Sequence, residues 1–314
     1  MRNAFVQALT DCAADNADVM LIVGDLGYSV VERFADRFPA RFLNAGVAEQ
    51  NMAGMAAGLA MTGFRPFIYS IANFPTLRCL EQIRNDIVYH RLPVTIVAVG
   101  GGLGYGSLGY SHHAVQDIAC MRTLPGILMV TPGDAVETVA VTRYLLRTPR
   151  PAYLRLGKGG EPLVCREPLQ ITQLGPREVI PGGPDAVLAC GNALPLAVQA
   201  AAQSGAAAWS CPVWDMSAMC AEQIRRFVAD HRRVVVVEEH LQAGGFGSWV
   251  RECLEPAPEL QSRVRSVSLS ANVCGEVANA DVLRARGGLT TDAILGHLMS
   301  PPGNVSYTAA RHVV

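Results

Sequence analysis

The sequence is short of net charge. Its 26 basic and 27 acidic side chains nearly cancel over 314 residues, leaving a formal net charge of -1. A chain so balanced has no electrostatic footprint for nucleic acid or an anionic bilayer, so neither is expected as a partner. Long apolar runs are missing too: no stretch approaches the roughly 18 uncharged apolar residues that a bilayer crossing demands. The opening segment, MRNAFVQALTDCAADN, places Asp11 and Asp15 where a secretory leader needs an apolar run and a small-residue cleavage site. The chain is therefore expected in the cytoplasm. Nine cysteines are present, but none are paired as C-x-x-C and their spacings are irregular. That argues against zinc sites and disulfide frameworks, and for reduced, mostly buried thiols. Repeats and low-complexity segments are absent.

Apolar material is abundant. Half of the residues are hydrophobic and 17% are charged, which excludes a disordered chain. At roughly 100–200 residues per domain, two domains are expected. A mean hydropathy of +0.22, with so little charge, implies that other subunits cover some apolar surface.

The pattern alternates strands and helices. Buried-type runs at 18–23, Arg65–Ile71, 93–99, 127–131 and Ala152–Leu156 read as strands. Helical spacing marks Glu49–Met61, 77–89, 114–123 and 134–146. Continuous runs rather than strict alternation argue for a parallel sheet covered on both faces. Glycine and proline crowd residues 157–185, and the alternation then resumes. Strands are expected at 186–189, within 207–214, at 233–237 and at Val264–Leu269; helices at 193–204, 220–230, 247–254 and 290–299. The expected division is 1–165, a linker at 166–185, a second α/β domain at 186–300 and a mobile tail at 301–314. The fold class is α/β, with two doubly wound, mostly parallel domains.

Four places carry candidate chemistry. The run GGGLGYGSLG at 100–109 contains a formal G-x-G-x-x-G at Gly104, Gly106 and Gly109. It starts five residues past the strand and lacks an acidic residue at the right distance, so a mobile loop, or one placing backbone close to a ligand, fits better than a dinucleotide site. His112 and His113 follow at a helix entry, either as polar catalysts or as surface and capping residues. Glu49 opens an apolar helix, where a buried carboxylate needs a partner; it is either a helix-dipole carboxylate or a catalytic acid. Glu238, Glu239 and His240 end the strand at 233–237 and read as a subunit contact in preference to a ligand site.

Taken in order, GDLGYS (24–29), NAGVAEQNM (44–52), the segment from Phe74 to Asn85, YSHHAVQDIACMR (110–122), VTPGDAVET (130–138), YLRLGKG (153–159) and VVEEHLQAGGFGS (236–248) resemble the C-terminal half of transketolase and related thiamine-diphosphate enzymes. The resemblance runs from Arg2 to about Met299. It implies a pyrimidine-binding domain followed by a transketolase C-terminal domain. Glu49 would hydrogen-bond N1′ of the aminopyrimidine and favour the imino tautomer that takes the C2 proton. Phe74 would pack on the pyrimidine, Ile71 stands at a neighbouring aromatic position of the family, and Asp25 and Arg78 complete the cofactor-binding candidates. His112 matches the substrate-facing histidine of an S/T-H-Q motif, with His113 in place of its glutamine. Arg2 and Ser29 match phosphate-contacting positions, and Lys158 stands where arginine is common. A family aspartate that touches the donor is Leu108 here, and a phosphate-contacting histidine is Gly100, so an unusual substrate is implied.

The family's Mg²⁺ motif, G-D-G with a later Asn, is missing, and no metal site is expected in this chain. The resemblance therefore implies a split enzyme. A partner subunit carrying the diphosphate domain would hold Mg²⁺, thiamine diphosphate would lie between the chains, and the assembly would be an α₂β₂ heterotetramer in which this chain also pairs with itself. The implied activity is transfer of a two-carbon ketol unit between ketose and aldose sugars. Two alternatives stay open: an E1-β-like or acyloin-forming subunit acting on a 2-oxo acid, and a non-catalytic scaffold paralogue. Carbon dioxide release from pyruvate without ketol transfer would favour the first. Full turnover by the partner alone would favour the second.

Overall fold

The apolar runs become strands whose side chains are buried almost throughout. The computed structural model describes residues 1–166 and 169–300; the expected tail and two residues of the expected linker lie outside the described residues. Strands β1 (Val19–Val23), β2 (Phe42–Asn44), β3 (Arg65–Ile71), β4 (Thr95–Val99), β5 (Leu128–Val130) and β6 (Ala152–Leu156) come from the first half. Then come β7 (Arg177–Ile180), β8 (Asp185–Cys190), β9 (Ala207–Ser210), β10 (Val213–Trp214), β11 (Arg233–Leu241) and β12 (Val264–Leu269). They form a seven-stranded sheet in the order β10-β5-β6-β4-β3-β1-β2 and a five-stranded sheet in the order β12-β11-β8-β9-β7. Only β10 and β7 run antiparallel to their neighbours. Every residue of β1, β4, β5 and β6 is buried, as a parallel sheet covered on both faces requires.

Helix limits follow local chemistry. Asp134 accepts from the Glu137 N–H at 2.9 Å and opens helix Ala135–Arg147. Ser217 caps helix Ala218–Ala229, and Gly205, left-handed at φ 74°, closes helix Leu194–Ser204.

The structure changes several expectations. The helix expected at 77–89 begins at Leu80 and turns into a π-helix at Ile83–Val88, because turns after β3 occupy the chain up to Cys79. The helix expected at 114–123 begins at Asp117, since Ala114 is held extended by a bridge to Gly102. The expected linker contains β7, an edge strand paired with β9. The run at 207–214 is split at Pro212: β9 stays in the second sheet, and β10 crosses to pair with β5. Trp214 then lies against Trp249 and Phe246, with centroids 4.6 and 5.1 Å away.

The seam between the sheets is charged and closed. Arg155 on β6 donates to Asp117 at 2.7 Å, to the Ala114 carbonyl at 2.8 Å and to the Glu239 carbonyl at 3.0 Å, and the Tyr153 hydroxyl donates to Asp117. Burial raises the cost of the Asp117 charge, but Arg155, His240 and these hydrogen bonds hold its carboxyl below the usual range. Glu239 accepts from the Leu103 N–H at 2.8 Å and from Arg284 at 2.9 Å. Glu238 accepts from the Phe246 and Gly247 N–H groups at 2.6 and 2.8 Å. Glu238, Glu239 and His240 are thus buried within this chain, against the expectation of a subunit contact, because β11 continues past 237 into the seam. The nine cysteines are free, and six of them are buried.

Candidate functional site

The site lies where strands β1, β3 and β4 end, at the edge where parallel sheets place ligands. Glu49 is the first residue of helix Glu49–Met61, follows the turn after β2 and is 3% exposed. The side chain that Gly24 lacks would sit 3.6 Å from Glu49 Cγ and 3.6 Å from Ser70 Oγ. That serine hydroxyl is buried and has no hydrogen-bond partner. Arg78 Nη1 donates to Glu49 Oε2 at 2.8 Å, while its guanidinium carbon lies 4.5 Å from the Phe74 centroid. The Arg78 side chain remains 46% exposed.

Phe74 leads to the histidine turn. Its ring meets His112 edge-on at 5.4 Å and 72°. Asn73 holds that turn by donating to the Ser111 and His113 carbonyls, both at 3.0 Å. His112 closes a 3-10 turn, Tyr110–His112, rather than opening a helix. Its Nδ1 lies 3.0 Å from Ser111 Oγ. Partial burial first, then the neighbouring His113, lowers its pKa below 6.5.

The remaining candidates divide. His113 is buried, its Nε2 3.3 Å from the Gly106 carbonyl; its ring packs inside the loop instead of facing substrate space, which corrects its expected role beside His112. Lys158 lies 4.8 Å from the Tyr105 centroid, and Arg2 and Lys158 line one open cavity of about 480 Å³. Ser29 lies farther along, at φ 63°, with its N–H donating to Glu32 at 2.7 Å. The Asp25 carboxylate accepts from Asn44 and from the Tyr28 hydroxyl, both at 3.0 Å. Those two bonds hold its pKa low. Ile71 is half-buried and its carbonyl accepts the Phe74 N–H at 2.8 Å, shaping the turn that presents the ring. Leu108 is 55% exposed.

The glycine run is neither a nucleotide cradle nor a loop open to ligand along its length. A Cβ at Gly101 would meet Arg155 at 2.7 Å, one at Gly102 would meet Glu239 at 2.6 Å, and one at Gly106 would meet Leu283 at 2.5 Å. These glycines let the loop pass against the second half of the chain. Asn192 adds a hydrogen bond to the Gly101 carbonyl at 2.9 Å. Sequence reasoning missed Asn73, Ser70 and Tyr105. Tyr105 had one visible signal, as an aromatic in the middle of a glycine run.

Comparison with known proteins gives the family of the chain. Residues 1–161 match the family "Transketolase, pyrimidine binding domain", and residues 178–294 match "Transketolase, C-terminal domain". The chain is 35% identical to one of the subunits of the apulose-4-phosphate transketolase of Phocaeicola vulgatus, over 82% of this chain and 84% of that protein. It is 32% identical to a putative transketolase C-terminal section of Methanocaldococcus jannaschii, over 95% of each chain. Among solved structures, a split-gene transketolase described as an inactive β4 tetramer superposes with a TM-score of 0.82 at 30% identity, covering 95% of this chain and 96% of that one. The chain therefore belongs to the transketolase family, as the half that carries the pyrimidine-binding and C-terminal domains.

Proposed function

We propose that this chain is the β-type subunit of a split, thiamine-diphosphate-dependent transketolase that moves a two-carbon ketol unit from a ketose to an aldose. The observation that carries the reading is Glu49: a carboxylate 3% exposed at an apolar helix start, next to an aromatic face and in file with His112. Subunit names among the relatives support a partner-dependent enzyme.

The residues fit the aminopyrimidine. Glu49 and the unpartnered Ser70 hydroxyl flank the space left by Gly24, and Phe74 offers a flat apolar face beside them. Thiamine diphosphate, when bound, supplies a nucleophilic ring carbon and an electron sink for cleaving the bond beside a carbonyl. Glu49 would hold a proton at the pyrimidine ring nitrogen. Arg78, paired with Glu49 here and half-exposed, would yield that carboxylate by turning toward water. His112, with Ser111 at one ring nitrogen, would use the other to polarise a substrate oxygen. Arg2, Ser29 and Lys158 would meet an anionic end of the sugar. A partner subunit would supply the diphosphate and Mg²⁺ sites and complete an α₂β₂ assembly. The cytoplasm is the proposed compartment; no helix among the described residues is long and apolar enough to cross a membrane.

Calorimetry tests the reading. Thiamine diphosphate with Mg²⁺ should bind tightly to this chain mixed with its N-terminal half and weakly to this chain alone. Equal binding by the chain alone would overturn the shared site. Absence of binding by the mixture would overturn the cofactor.

A further inference from the structure

Gly100 and Tyr105 occupy one another's space. Gly100 has φ 80°, and a Cβ built on it would lie 2.2 Å from Tyr105 Cε2 and 2.3 Å from Cδ2. The loop can fold back this far because position 104 is also glycine, where a Cβ would stand 3.1 Å from the Gly100 Cα. The tyrosine ring thus fills the volume that any side chain at position 100 would take. From there it reaches the polar groups at this end of the site. Lys158, the one lysine of the sequence, lies 4.8 Å from its centroid, within cation–π range. His112 stands 6.3 Å away at 61°, held edge-on between this ring and Phe74. Burial pushes the Tyr105 hydroxyl up, and the nearby Arg2 guanidinium partly offsets the rise. Neither Arg2 nor Lys158 has a carboxylate partner among the described residues.

We propose that Tyr105 is a specificity-determining residue: it is the wall between His112 and the Arg2–Lys158 pair, and a substrate spanning them must run across its ring. This rests on the transketolase reading of the site. The ring offers an apolar face to sugar C–H groups and a hydroxyl to a carbinol, and the open cations beyond it take a tetrahedral oxyanion at the chain's end. The length of chain between the reacting carbon and that anion is therefore set by one tyrosine.

The test uses the enzyme assembled with its N-terminal half, a hydroxypyruvate donor, and aldose acceptors of three to five carbons with and without a terminal phosphate. Tyr105→Ala should raise KM for the phosphorylated acceptors about tenfold or more and flatten their ranking by length, with a smaller change in kcat. Gly100→Ala should reproduce this, because its methyl expels the ring. The double variant should be no worse than the worse single, since both remove one feature. Tyr105→Phe should keep the length ranking and weaken only the hydroxyl-dependent binding; it remains decisive if the alanine variants fold poorly.

A second readout needs no turnover. Acylation of Lys158, followed by mass spectrometry, should be slowed by inorganic phosphate in the wild type. In Tyr105→Ala acylation should be faster and that protection lost. Unchanged KM, ranking and protection in Tyr105→Ala, or a length ranking lost in Tyr105→Phe, would overturn the proposal. Failure of the wild-type assembly to transfer a ketol unit to any acceptor would instead overturn the transketolase reading, with the labelling arm still reporting whether Tyr105 governs the cation pair.

Discussion

Two carboxylate–arginine pairs, Glu49–Arg78 and Asp117–Arg155, look alike in sequence and differ in what surrounds them. Asp117 and Arg155 are both sealed, at 0% and 1% side-chain exposure. Tyr153 and the carbonyls of Ala114 and Glu239 add further hydrogen bonds to the pair. In the other pair only the carboxylate is sealed, and the arginine reaches it from a half-exposed position through one 2.8 Å bond. A buried pair held by several further hydrogen bonds is fixed in place. A buried carboxylate with one movable partner keeps capacity for another molecule. The first pair joins the two halves of the chain; the second stands where a cofactor ring would be received.

The comparison can be broken by substitution. Glu49→Gln should lower ketol transfer at least 100-fold, about the smallest loss expected when a positioned acid–base group is removed. Assembly with the partner and thermal melting should be unchanged, and normal turnover in a coupled assay would sink its role. Arg155→Met should act on the fold instead. It strands a buried carboxylate, and urea unfolding should show a loss of about 3–5 kcal/mol.

Glu238 sharpens the contrast, because the seam also contains a carboxyl that burial drives up to about 7 against two backbone N–H bonds. The folded pKa lies above the unfolded value of about 4.5. The corresponding stability is full below pH 4.5 and is lost as pH rises through 7. Its loss should amount to about 3 kcal/mol at 1.36 kcal/mol per pKa unit. Unfolding measured from pH 4.5 to 8 should show this slope in the wild type and lack it in Glu238→Gln. The smallest effect belongs to Arg78→Met, where water can replace the half-exposed guanidinium. Its cost to stability should be about 1 kcal/mol, and a loss as large as that of Arg155→Met would erase the distinction between the pairs.

Much of this was legible in the chain. The parallel sheets follow from continuous apolar runs such as 93–99, whose side chains have no solvent-facing alternate positions. The position of Glu49 at a helix start, and its neighbourhood of alanine and methionine, mark a carboxylate with few places to go. His112, Phe74 and Arg78 come together as a file because β3 and β4 are adjacent and end on one side. The seam was not legible. Glu238, Glu239 and His240 read as a subunit contact, since most of the groups that donate to them or neutralise them, among them Leu103, Arg155 and Arg284, lie 45 to 136 residues away along the chain.

By itself the sequence determined the α/β class, the order of elements and the residue types that suit carboxylate, imidazole and cation chemistry, because periodicity and local capping act over a few residues. Only the tertiary structure decided that the glycine run is threaded against the second half of the chain, that β10 returns to the first sheet, that His113 faces inward, and that Tyr105 fills the volume above Gly100. Each of these depends on the close packing of residues brought together by chain reversals, where a single Cβ contact under 3 Å permits one arrangement and forbids its neighbours.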